Sequence, residues 1–316
     1  MRILLIDPPF YRFIGYYNRY FPLGLAYLAA ILRDKGHQVL IYDADCNQEA
    51  TKMEYSLLEE SYPEYIAGIN NPNHKLWQEA REVIENFKPD LVGITMMTTK
   101  VASAFRLAEI CKDYNKNLPV VVGGPHPTLM PDEVLKNSPA IDIILRGEGE
   151  KSFPNLIKAI QSQKPLETVN GISFRKENRV IHNLPEEPIM NLDSLPFPAR
   201  DLLWGKETYT SEDMGLLFAS RACPYNCTFC SSAGIWGRIT RCRSIPNIIA
   251  EIKEVQKTYG TVQFSFKDDT FTLDRRRVIE FCQTLKKEKI KINWDCNGRI
   301  NLLDKELLKI MKEAGC

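Results

Sequence analysis

Cys223, Cys227 and Cys230 stand in the run Ser220-Arg-Ala-Cys-Pro-Tyr-Asn-Cys-Thr-Phe-Cys-Ser231, a CxxxCxxC spacing that gathers three thiols on one short loop. Soft thiolates select zinc, cuprous copper or iron–sulfur clusters. Three ligands with no adjacent fourth leave one metal position open, and an open position is where a metal centre does chemistry. A structural zinc site would instead need four protein ligands, and Cys242 is the candidate for the fourth. Three thiols without a metal would leave the Pro224-Tyr-Asn226 turn with no packing reason.

The elements that must position these residues read as α/β throughout. Over residues 1–160 short apolar strands alternate with amphipathic helices, the pattern of a doubly wound parallel sheet covered on both faces. Strands are expected at 3–6, 39–43, 91–95, 120–122 and 141–145, and helices at 24–35, 74–87, 102–114 and 131–136. Such sheets bind ligands outside the carboxyl ends of their strands. Those ends carry Asp7-Pro-Pro, Asp43-Ala-Asp45, Thr95-Met-Met-Thr-Thr99, Gly123-Gly-Pro-His-Pro-Thr128 and Gly147-Glu-Gly-Glu150. Residues 161–213 are rich in proline and read as a linker with a small hairpin at 171–182. From 214 to 316 three βα units follow: strands at 215–220, 262–266 and 291–295, helices at 245–259, 274–287 and 304–312. The chain reaches Cys316 where a fourth strand is expected, so it reads as a fragment or as a piece that a partner completes.

Composition narrows the classes. A chain of 316 residues exceeds what one core usually supports, so two domains are expected. A net charge of +1 gives no general attraction to nucleic acid or to an anionic membrane. The longest apolar run, 23–32, is far shorter than the about 20 residues that span a bilayer. Four apolar residues before Asp7 are too few for a signal peptide core. Nine cysteines in a chain of this length read as reduced thiols, and a cytoplasmic protein is expected.

The cysteine loop, with Phe229 before its last thiol, resembles the signature of the radical S-adenosylmethionine (SAM) superfamily. Pro22-Leu-Gly-Leu-Ala-Tyr-Leu-Ala-Ala30, Gly123 to Thr128, Gly147 to Glu150 and Leu195-Pro-Phe-Pro-Ala-Arg-Asp-Leu202 are similar to segments of its cobalamin-binding members. The resemblance implies a Rossmann-like cobalamin domain over 1–160 and a partial (β/α) barrel over 214–316. It implies that Cys223, Cys227 and Cys230 hold three irons of a 4Fe-4S cluster whose fourth iron binds SAM. Phe229 would then flank the adenine, Asp269 the SAM amino group and Arg299 its carboxylate or ribose. Thr95, Thr98, Gly123, Gly124, His126, Thr128, Gly147 and Glu148 would line the cobalamin site. The four histidines lie outside any Asp-x-His-x-x-Gly motif, so cobalamin is expected without that axial ligand, unless the domain is a scaffold that has lost it.

Structural readings stand beside these. Gly123 and Gly124 suit a tight turn, His126 a hydrogen-bonding loop position, Met96 and Met97 a core, Glu148 a helix N-terminus and Asp269 an N-terminal cap or one of a solvated acid pair. Arg299 has a surface reading. Ala222 replaces the glycine usual in relatives, which a negative φ would tolerate. Arg238, Arg241 and Arg243 could steer an anionic substrate or the cofactor but read as a solvated loop stabilised by nearby acids, and Arg275 to Arg277 as surface.

The implied activity is reductive cleavage of SAM to a 5′-deoxyadenosyl radical, followed by methylation of an unactivated carbon. Oxidative cyclisation or rearrangement of a tetrapyrrole or lipid is the alternative, as is a non-catalytic cofactor-binding module. The expected partners are a small-molecule or lipid substrate and an electron donor such as flavodoxin or ferredoxin.

Overall fold

The run Ile3 to Ile6 is apolar at every position, which suits a strand covered on both faces. In the computed structural model it forms the centre of β1 (Arg2–Asp7), and all four side chains are fully buried. Residues 1–17, 20–46, 51–52, 58–177 and 179–316 are described. Among them follow β2 (Tyr16–Tyr17), α1 (Leu23–Asp34), β3 (Gln38–Asp43), β4 (Thr51–Lys52), α2 (Leu58–Asn70), α3 (Lys75–Phe87), β5 (Leu91–Thr95), α4 (Val101–Tyr114) and β6 (Val120–Gly123). Then come α5 (Pro125–Leu129), α6 (Pro131–Asn137), β7 (Ile143–Leu145), α7 (Gly149–Gln161), β8 (Ile172–Lys176) and β9 (Arg179–His182).

The main sheet has the order β3-β1-β5-β6-β7-β8-β9, parallel from β3 to β7. Helix α1 packs beside α7 and α3 beside α4. The order reverses between β1 and β5, and the strand-end loops diverge at that point. The expected hairpin is present, but it is no linker: β8 pairs antiparallel with β7 and extends the sheet.

The chain separates into two compact units, Met1–Pro188 with Pro198–Thr208, and Ile189–Phe197 with Tyr209–Cys316. The stretch expected as a linker is thus divided between them. Its prolines keep it extended, while its apolar side chains make it part of each core. Ile189 and Leu192 are buried, and in the first unit Leu203 bridges Ile41 while Trp204 donates its N–H to Ile41 O at 2.7 Å.

In the second unit the order is β10 (Leu216–Leu217), β11 (Ser220–Arg221), α8 (Ser232–Trp236), β12 (Arg241–Cys242), α9 (Ile245–Tyr259), β13 (Gln263–Phe266), α10 (Arg275–Lys287), β14 (Asn293–Cys296) and α11 (Lys305–Glu313). Strands β10, β13 and β14 form a parallel sheet, with α10 following β13 and α11 following β14. Ser244, Asp274 and Asp304 cap the three long helices by accepting first-turn N–H groups, the role for which these residue types are suited. Buried rings of Phe266, Phe281 and Trp294 meet edge to face behind the sheet. The strand expected at 215–220 is broken into β10 and β11, because the Ala219 N–H turns to the Asp268 carboxylate at 3.1 Å. Among the described residues no helix is long and apolar enough to cross a membrane.

Candidate functional site

Two sets of residues carry chemistry, one in each unit. In the first, β5 and β6 end side by side with Thr95 opposite Gly123. Met96 donates to Gly123 O at 2.8 Å, and the His126 N–H donates to Met96 O at 3.2 Å. Gly124 has φ +106°, and a Cβ there would stand 3.1 Å from both Met96 N and Met96 O. Only glycine meets both demands. The Thr128 hydroxyl donates to Gly124 O at 2.8 Å and accepts from Gly147 N at 3.0 Å, joining the loops after β6 and β7. Thr98 Oγ1 pairs with His126 Nδ1 at 3.2 Å. Seven of the eight expected residues therefore form one connected set, and buried Glu148 stands at the N-cap of α7. His126 Nε2 is buried with no hydrogen-bond partner, while Met97, Leu129 and Met130 are exposed nearby in the chain. Of the two methionines whose structural reading was a core position, Met96 is buried, whereas Met97 is exposed because the chain turns outward into the loop after β5. A polar nitrogen held off water, in a loop that leaves Leu129 and Met130 exposed, fits a large ligand that is apolar in its body and polar at its rim.

Sequence reasoning missed what fastens this end of the sheet. Lys100, 6% exposed, places Nζ 2.8 Å from Asp7 Oδ1 and 2.8 Å from Asp45 Oδ2. The other oxygen of Asp45 accepts from Phe10 N at 2.6 Å and Arg12 N at 3.2 Å. Burial raises the Asp7 carboxyl above its ordinary range against the pull of Lys100. The acids flanking β1 and β3 were conspicuous in sequence, and a buried lysine after Thr98-Thr99 is their counter-ion.

In the second unit the cysteine loop leaves β11 and enters α8. Cys230 N donates to Cys227 O at 3.1 Å, closing a turn around the last two thiols. Cys223 Sγ lies 3.5 Å from Thr270 Oγ1, and Arg299 Nη1 lies 3.2 Å from Cys227 Sγ. Cys230 is exposed, and the neighbouring Phe229 ring is 90% exposed. Among the described residues no three His, Cys, Asp or Glu side chains converge at metal-binding distance, and Cys242 on β12 is not grouped with the loop. The fit to a cluster therefore lies in the donor set: three thiols on one loop, part-buried or exposed, with a guanidinium at one sulfur.

The acidic pair after β13 divides its labour. Asp268 is buried and accepts from Ala219 N and from Ser220 Oγ at 2.5 Å, whereas Asp269 is exposed and hydrogen-bonded by Ser232 Oγ. Desolvation pushes the Asp268 carboxyl up to about 6 from an ordinary 3.8, against its hydrogen bonds. Because the folded value is the higher one, this group's stabilisation is full below the unfolded value and is lost as pH rises through about 6. Asp268→Asn should thus gain on the native protein by about 3 kcal/mol between acid and neutral pH, read as the difference in urea midpoints across that range.

A family model for the B12 binding domain matches residues 14–157. A second, for the radical SAM superfamily, matches residues 217–316. The chain is a B12-binding radical SAM superfamily protein. Over its whole length it is 35% identical to an uncharacterized methyltransferase of Pyrococcus horikoshii, and it covers 64% of that protein. It is 31% identical to the anaerobic magnesium-protoporphyrin IX monomethyl ester cyclase of Rubrivivax gelatinosus, of which it covers 54%. Its fold is that of the cobalamin-dependent SAM radical enzyme OxsB, with a TM-score of 0.76 at 22% identity over all of this chain and 42% of that one. The radical SAM methyltransferase TsrM of Kitasatospora setae gives 0.74 at 17% identity, over 100% of this chain and 58% of that one.

Within the radical SAM unit three expectations are corrected. Ala222 has φ +71°, so the negative φ that would make its methyl group harmless is absent and the loop enters through a left-handed residue strained by about 1 kcal/mol. Arg241 and Arg243 are buried, not solvated. The first donates to Ile189 O at 3.0 Å, and the second pairs with Glu251 at 2.6 Å and donates to Phe218 O at 2.8 Å, supporting the strand that leads to the loop. Arg277 is half-buried and donates to Arg243 O, while Arg275 and Arg276 keep their place at the start of α10. Nothing in the one-dimensional charge pattern separates these arginines; only packing does.

Proposed function

We propose that this chain carries the cofactor-binding machinery of a cobalamin-dependent radical SAM enzyme that methylates an unactivated carbon of a small-molecule or lipid substrate. The observation that carries the reading is the presence, on one chain, of an accessible three-thiol loop at the strand ends of a βα unit and a glycine-built strand-end site with an unpartnered histidine nitrogen. Cys223, Cys227 and Cys230 would hold three irons of a 4Fe-4S cluster. The Phe229 ring would cover the adenine of SAM, and Asp269, oriented by Ser232, would take its amino group. Thr95, Thr98, Gly123, Gly124, His126, Thr128, Gly147 and Glu148 would hold cobalamin, with His126 engaged by Thr98 and serving as a hydrogen-bonding residue, not an axial ligand. When bound, the cluster with SAM supplies hydrogen-atom abstraction and cobalamin supplies the methyl group. An electron donor of the flavodoxin or ferredoxin class would feed the cluster.

A second reading, oxidative cyclisation, is favoured by the likeness to the Rubrivivax gelatinosus cyclase. Anaerobic reconstitution with iron, sulfide and hydroxocobalamin, followed by methyl-labelled SAM and dithionite, separates the cases. Cluster absorbance, a retained corrin spectrum, 5′-deoxyadenosine and label on the corrin are expected for methyl transfer. Deoxyadenosine without label on the corrin would turn the assignment to cyclisation, both chromophores without SAM cleavage to a binding module, and a colourless zinc protein would overturn it.

A further inference from the structure

We infer that Arg299 is a positioning residue that acts on the sulfur of Cys227 and raises the reduction potential of a cluster held there. This rests on the cluster role proposed above for the three thiols. Arg299 reaches the cysteine loop from the end of β14 and grips it at two points. Its Nη1 lies 3.2 Å from Cys227 Sγ, and its guanidinium carbon stands 3.9 Å from the centre of the Tyr225 ring, two residues earlier on the same loop. Its Nε donates to Asn301 Oδ1 at 3.4 Å, which fixes the plane of the fork. The group is half-buried and permanently charged. Hydrogen bonds to the ligand sulfurs, local charge and solvent exposure are what the protein has available to set a cluster's potential. A fixed cation at one sulfur favours the form carrying one more electron. The position against Tyr225 also keeps the guanidinium from swinging into solvent, since a cation over an aromatic face is held there.

Arg238 supplies the internal control. It braces the same loop, donating to Asn226 Oδ1 at 2.6 Å and Tyr225 O at 3.2 Å, and these bonds go to oxygen and not to sulfur.

The test uses the full chain, reconstituted anaerobically with iron and sulfide and titrated electrochemically with the reduced cluster read by electron paramagnetic resonance. SAM is left out, so any loss of grip on its carboxylate cannot mimic the effect. Arg299→Gln is expected to lower the one-electron reduction equilibrium at least tenfold, about 59 mV. Arg299→Lys, which keeps the charge, should fall by less, and Arg238→Gln should leave the potential in place even where it lowers thermal stability. An Arg299→Gln protein that holds its cluster at the native potential overturns the inference, as does an equal shift in Arg238→Gln. Should Arg299→Gln assemble no cluster, Tyr225→Leu decides: a smaller fall supports the role and an unchanged potential overturns it. A native chain that assembles no cluster removes the proposed function and this inference together.

Discussion

Replacing Cys230 with alanine is expected to leave a folded protein that holds no cluster. The side chain is exposed, so its loss opens no cavity, yet it takes away one of only three donors. Brown absorbance after reconstitution should disappear, and SAM cleavage should drop by more than the roughly 100-fold that losing a supporting contact to a metal ligand costs. Cys242→Ala, by contrast, should behave as the native chain, because that thiol lies apart on β12. Iron and sulfide content with 5′-deoxyadenosine yield checks both. Loss of metal from Cys242→Ala, or a Cys230→Ala protein with full activity, would return the loop to a zinc-site or purely structural reading.

Lys100→Met is expected to cost about 3–5 kcal/mol, because it strands buried carboxylates that share one cation. Asp45 has no exposed surface and cannot turn to water, and Asp7 is already held above its ordinary ionisation range by burial. The damage should reach the strand-end loops, since Asp45 also holds the N–H groups of Phe10 and Arg12. Urea denaturation followed by far-ultraviolet circular dichroism gives the size. Adding Asp7→Asn to Lys100→Met should recover part of it by removing one stranded charge. A midpoint for Lys100→Met equal to that of the native chain would show that Asp7 and Asp45 do not depend on the ammonium.

The alternation of apolar runs made the two βα halves legible, and a spacing of thiols on one loop is legible because it is local. The strand ends were legible for the same reason: Gly123-Gly124 and Thr128 lie within six residues of each other and meet through one hydroxyl. What escaped was long-range. Lys100 lies 93 residues from Asp7 in the chain, and no periodicity joins them. The left-handed φ of Ala222 is set by the geometry between β11 and the loop, against the preference of its methyl group for a negative φ. Asp268 and Asp269 are chemically identical, and which one points inward depends on where Ala219 offers its N–H.

The path of the chain between its two units has a consequence for how the molecule came to be built and how it can be taken apart. Residues 189–197 belong to the second unit, 198–208 return to the first and 209 onward go back. A gene cut at any single point therefore cannot yield two whole cores. A piece ending at Pro188 would lack the Leu203 bridge to Ile41 and the Trp204 ring that stands edge-on to Tyr42. The two units are laced by the backbone itself, so neither can be exchanged by simple fusion without a companion segment.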